Sequence, residues 1–131
     1  MPNVELIQAE VAVIEAGIVL AKVNVGLVEA KIEKVKASLE SVKASAGSMA
    51  AKILAVEAEV EAVKEDIGMV EAELRFFRFE PGQAGHYEEE KSSTLRAHIE
   101  LDNDKLSVTM RELNQVDRDI RHPRFAVAGR R

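Results

Sequence analysis

Apolar residues recur alternately three and four positions apart from Val4 to Phe77, and no polar residue interrupts either row. One row is Val4, Val11, Ile18, Val25, Ile32, Leu39, Ala46, Ile53, Val60, Ile67 and Leu74; the other is Ile7, Ile14, Ala21, Val28, Val35, Val42, Met49, Val56, Val63, Val70 and Phe77. A 3.5-residue period is what a helix needs to hold one continuous stripe against a partner helix, so the pattern predicts an all-α coiled-coil architecture. From Val11 to Phe77 these two rows, apart from Ala21, Ala46 and Met49, are the predicted interaction core.

The ends of the pattern are marked by residue chemistry. Asn3 is a good N-cap and Glu5 lies where the helix dipole favours an anion. Pro81, Gly82 and Gly85 form a breaker cluster, which makes 81–86 a loop between a long helix over 1–80 and a second helix over 87–122. The second helix, from about Tyr87 or Ser93 to Arg121, carries a poorer stripe: Leu95, Ile99, Leu106, Leu113, Val116 and Ile120, with Asp102 and Thr109 in the same seam. It is expected to fold back on the first helix as a hairpin, giving one domain overall, with a basic tail over 123–131.

An unbroken helix from Val4 to Phe77 would be roughly 110 Å long at ~1.5 Å per residue, and so must pair with another chain, be covered, or bend back. Ser45-Ala46-Gly47-Ser48 offers the place to bend, since Gly can end one helix and Ser can cap the next. The alternative is therefore an antiparallel three-helix bundle with a turn near Gly47. Leu39, Val42, Ala46, Met49 and Ile53 keep their phase across this segment, which favours the continuous rod.

A second apolar row, Leu6, Val13, Leu20 and Leu27, lies around the helix from the first and alternates with Ala9, Ala16, Val23 and Ala30. Two seams imply two neighbours, either within a bundle of three or more helices or through lateral association into a larger assembly. Val and Ile in both core rows favour three or four strands over a parallel pair. Ala also fills the usually exposed position at Ala37, Ala44, Ala51, Ala58 and Ala72, where helix propensity explains it. For parallel in-register pairing the flanking charges cancel: Lys52 with Glu57, Glu59 with Lys64 and Glu73 with Arg78 attract, while Glu10 with Glu15, Lys31 with Lys36 and Asp66 with Glu71 repel.

Composition agrees with long helices: 47% hydrophobic, 31% charged and 4% aromatic residues, with three Pro and no Trp. The absence of Cys fits a reducing compartment and favours an intracellular, cytoplasmic location. The first residues lack the basic-then-apolar order of a secretory signal. The most apolar stretch, Val11 to Val28, contains Glu15, Lys22 and Asn24; a charge near the centre of a spanning helix costs ~2.5–3.5 kcal/mol, which argues against a membrane span. A net charge of −5 argues against a nucleic-acid binder.

Little in the chain suggests reaction chemistry. His98 and Asp102 sit one helical turn apart, a metal-binding spacing that has no third ligand nearby, and His86 and His122 read as surface residues. Asp102-Asn103-Asp104 resembles the opening of a calcium loop, but the required Gly is missing and Leu113 stands where the bidentate acid belongs. Glu88-Glu89-Glu90 reads as the acidic first turn of the second helix. Phe76, Phe77 and Phe79 suit a plug sealing the hairpin, and Arg118, Arg121, Arg124, Arg130 and Arg131 suit a solvated basic end. No phosphate loop, nucleophile elbow or zinc-helix motif is present. The sequence therefore predicts a non-enzymatic interaction or scaffold protein without cofactor or small-molecule substrate, whose partner is itself or another helical protein. A monomeric three-helix adaptor, or a polyanion or membrane-surface binder using the Arg-rich end, are the alternatives.

Overall fold

The computed structural model describes residues 4–40, 46–79 and 89–121. These form three α-helices, α1 (Val4–Glu40), α2 (Ala46–Phe79) and α3 (Glu89–Arg121), and each packs against both others. The all-α architecture expected from the heptads is thus present in its three-helix form. The continuous rod is not: α1 ends at Glu40, and α2 runs back along it.

The direction of each helix is legible in its cross-links. Lys22 meets Glu71 at 2.6 Å, Glu29 meets Lys64 at 3.1 Å and Lys36 meets Glu57 at 2.8 Å. Each step of seven along α1 is a step of seven backwards along α2, so the two are antiparallel. Asp66 with His98 at 3.7 Å and Glu59 with Lys105 at 3.8 Å reverse the chain again into α3. The first and third helices run parallel, joined by Ser92 to Glu10 at 2.5 Å, Asn24 to Asn103 at 3.1 Å and Lys31 to Asp117 at 3.1 Å.

One core runs the length of the bundle. Ile14, Ile18, Ala21, Val25, Val28, Ile32 and Val35 of α1 are buried against Ile53, Val56, Val60, Val63, Ile67, Val70 and Leu74 of α2. The third wall is Leu95, Ile99, Leu106, Leu113, Val116 and Ile120, together with the polar seam residues Asp102 and Thr109. Val11, Leu39 and Met49 are half-buried at the ends of this core. Val42, the expected loop at 81–86 and the tail at 123–131 lie outside the described residues, as do the side chains of Ile7 and Phe77.

Phase continuity through Ala46 is compatible with reversal, because each helix of an antiparallel pair needs only its own stripe facing inward. The expected role of Gly47 needs correction. It lies inside the first turn of α2, and no glycine among the described residues has a positive φ. The glycine the packing does require is Gly17: a Cβ there would lie 2.5 Å from Ile99 Cγ2, so its absence lets α1 and α3 approach closely.

Candidate functional site

Three neighbouring rows of α1 face away from the core between Leu6 and Ala30. They comprise Leu6, Val13, Leu20 and Leu27; Ala9, Ala16, Val23 and Ala30; and Ala12, Val19 and Gly26. Every one of these residues is apolar. The large ones are about half exposed: Leu6 50%, Val13 47%, Val19 61%, Leu20 53%, Val23 55% and Leu27 56%. Neither α2 nor α3 covers the second seam, which corrects the expectation that an internal neighbour accounts for it. Both neighbours of α1 pack on the principal seam and its margins.

The polar residues of α1 explain why the helix sits this way round. Lys22 and Glu29 bind α2 along one margin of the core. Along the other margin Glu10 accepts a hydrogen bond from Ser92, Asn24 Nδ2 donates to Asn103 Oδ1, and Lys31 Nζ donates to Asp117 Oδ2. Asn103 Nδ2 also donates to the carbonyls of Gly17 and Ile99, each at 3.2 Å. The margins of the core are therefore polar and engaged, while the outward face is bare hydrocarbon. By length and composition the Gln8–Glu40 part of α1 is apolar enough to cross a membrane.

Two acidic side chains on α3 are buried, with opposite consequences. Burial pushes the Asp117 carboxyl up, but the hydrogen bond and charge of Lys31, with the charges of Arg121 and Lys34, outweigh it and hold the group below its ordinary value. Asp102 has no such cation in contact. Burial, a hydrogen bond with Asp66 and the negative charge of Asp66 push it up to about 7, opposed only by Lys105, and its Oδ2 has no hydrogen-bond partner among the described residues. His98 Nδ1 lies 3.7 Å from Asp66 Oδ1. His98 and Asp102, one turn apart on α3, thus each contact Asp66 of α2. Among the described residues no group of three His, Cys, Asp or Glu converges as a metal site requires.

A groove of about 420 Å³ lies between α2 and α3, lined by Ala55, Val56, Leu101, Val108 and Thr109 with Glu59, Asp104, Lys105 and Glu112 around them. The Thr109 hydroxyl in it donates to the carbonyl of Leu106 at 2.9 Å, and Lys105 lies 3.8 Å from Glu59. Asp102-Asn103-Asp104 lies within α3, where helical backbone cannot wrap a calcium ion. Arg121 Nε lies 3.3 Å from Asp117 Oδ1, one turn back on α3, while the Arg121 side chain itself stays exposed.

Sequence reasoning missed the ladder that sets helix direction. Lys22, Glu29 and Lys36 occupy one row, and Glu57, Lys64 and Glu71 occupy the same row further on; read backwards, the second matches the first charge for charge. Testing only parallel register hid this signal. The chain matches no known protein family, curated protein or solved structure.

Proposed function

We propose that this protein is a non-enzymatic helix-association module, an interaction or scaffold protein that works by placing the outer face of α1 against another helix. The observation that carries this reading is the uninterrupted apolar face from Leu6 to Ala30, exposed although α1, α2 and α3 are already packed on one another. At ~1.5 Å rise and a helix diameter of ~10–12 Å, that face presents on the order of 600 Å². This is the upper end of the ~300–600 Å² expected for the largest patch on a monomer, and patches of that size commonly serve binding. A second helix is the natural occupant, since the face is long, straight and one helix wide.

A lipid surface fits less well. Helices that lie on membranes carry an excess of Lys and Arg on the polar side, whereas the margin toward α2 carries Glu15 and Glu29 beside Lys22. The reading is tested by placing a photo-cross-linking amino acid at Leu20 or at Glu61, on the outer side of α2, in the expressing cell. Protein adducts from position 20 and none from position 61 are expected. Lipid adducts from position 20, or equal protein adducts from both, would overturn it.

The α2/α3 groove supports a second reading, a monomeric adaptor that takes a basic amphipathic helix between Leu101, Val108 and the surrounding carboxylates. On that reading Leu101→Glu abolishes binding and Leu20→Glu leaves it intact.

A further inference from the structure

We infer that the occupant of the outer face of α1 is the same face of a second copy, lying antiparallel about a two-fold axis near residue 18. This rests on the association reading above and commits it to one partner and one geometry.

The sequence of the face is complementary to its own reverse. Leu6, Ala9, Val13, Ala16, Leu20, Val23, Leu27 and Ala30 are spaced alternately three and four apart, so they form a complete second heptad seam. In an antiparallel pair, each layer of such a seam joins one residue from each row. With the axis near residue 18, the layers join Leu6 to Ala30 of the partner copy, Val13 to Val23, Ala16 to Leu20, and Ala9 to Leu27. Every layer then holds either a large residue against Ala or two Val, giving similar volume in each layer, as close packing requires. A parallel pair would stack Leu on Leu and Ala on Ala, so that layer volume would vary along the seam and the Ala layers would be underfilled. The margin row adds Ala12 opposite Gly26, with Val19 approaching its own counterpart, so small side chains let the helices come close.

The size of the face also fits. Two faces of about 600 Å² can hide at most about 1,200 Å² in all, which reaches the lower bound of the ~1,200–2,000 Å² of a specific stable interface. Symmetry closes the assembly: a two-fold contact uses the same patch on both copies and leaves no free copy of it. No ionisable residue lies on the face between Leu6 and Ala30, and the like pair that the margin row adds, Glu5 opposite Glu33, falls at the exposed ends, where solvent screens it and it costs little.

The test uses sedimentation equilibrium of the full chain across micromolar concentrations, together with cysteine cross-linking, for which a chain without native Cys is a clean background. The parent is expected to be a dimer, and Leu20→Glu a monomer with unchanged helicity by circular dichroism. A mixture of Ala9→Cys and Leu27→Cys chains is expected to form an inter-chain disulfide on mild oxidation, and Leu27→Cys alone is not. A parent that stays monomeric overturns the inference. So does a dimer in which Leu27→Cys cross-links to itself, or one that survives Leu20→Glu and is broken by Leu101→Glu; in these two cases helix association stands while its partner geometry falls. A monomer that cosediments with phosphatidylcholine vesicles, and loses that binding on Leu20→Glu, assigns the face to lipid and removes both readings.

Discussion

Asp102 is a carboxyl placed where the seam calls for an apolar side chain, and it stays in the core by keeping its proton. The folded protein holds that proton up to about pH 7, while the unfolded chain releases it near 3.8. Between those values the folded state binds more protons, so this group's stabilising contribution is full below pH 3.8 and is lost as pH rises through 7. Asp117 acts in the other direction and in another window: its contribution is present above 3.8 and is lost only as pH falls below that. Asp102→Asn keeps a neutral side chain at every pH. The variant is therefore expected to have a higher thermal midpoint than the parent at pH 8 and to converge with it toward pH 4. A lower midpoint at pH 8 would show that the charged carboxylate is the form the bundle needs.

At the scale of the helix, one substitution gives opposite results at three glycines. Gly47 and Gly68 of α2 have nothing within 4 Å of where a Cβ would sit, so Ala there should stabilise by up to ~1 kcal/mol through helix propensity. Gly17→Ala should instead destabilise, by up to about 2 kcal/mol net. The same propensity gain applies there, but the new methyl meets Ile99 Cγ2, whose β-branched side chain has little freedom to turn away, and overpacking costs ~1–3 kcal/mol. Thermal unfolding of the three variants by circular dichroism checks the order; a stabilising Gly17→Ala would mean that α1 and α3 are further apart than described. The helices also differ in how they are sided. The third is strongly amphipathic and could be oriented from its sequence, whereas α1 is apolar almost all round. Its orientation follows from where Glu10, Lys22, Asn24, Glu29 and Lys31 find partners.

In the whole molecule the three stripes share one core, so damage to any stripe should be felt throughout. Ile53 is 3% exposed and Ile32 4%, and an unpaired carboxylate at either site should cost about 3–5 kcal/mol, much of the ~5–15 kcal/mol that a domain of this kind has. Ile32→Asp and Ile53→Asp are expected to lower the urea midpoint of all three helices together, while Glu33→Ala, at an exposed position, should stay within ~0.5 kcal/mol of the parent. Equal midpoints for the three variants would remove the core assignment.

The heptad rows by themselves determined which residues are inside. Ile14 to Val35 and Ile53 to Leu74 are buried as their spacing requires, because a 3.5-residue period sets those side chains on one face of each helix. The two polar members of the α3 seam, Asp102 and Thr109, were equally legible, since position in the period and not polarity places them inward. Only the tertiary structure decided between rod and bundle. The stripe of α1 is satisfied equally by another chain or by α2, and folding back supplies the neighbour without the entropic cost of association. Packing likewise decided the fate of the second seam. Periodicity says that Leu6, Val13, Leu20 and Leu27 share a face; that α2 and α3 both settle on the opposite side, held by Lys22, Asn24, Glu29 and Lys31, is what leaves that face open.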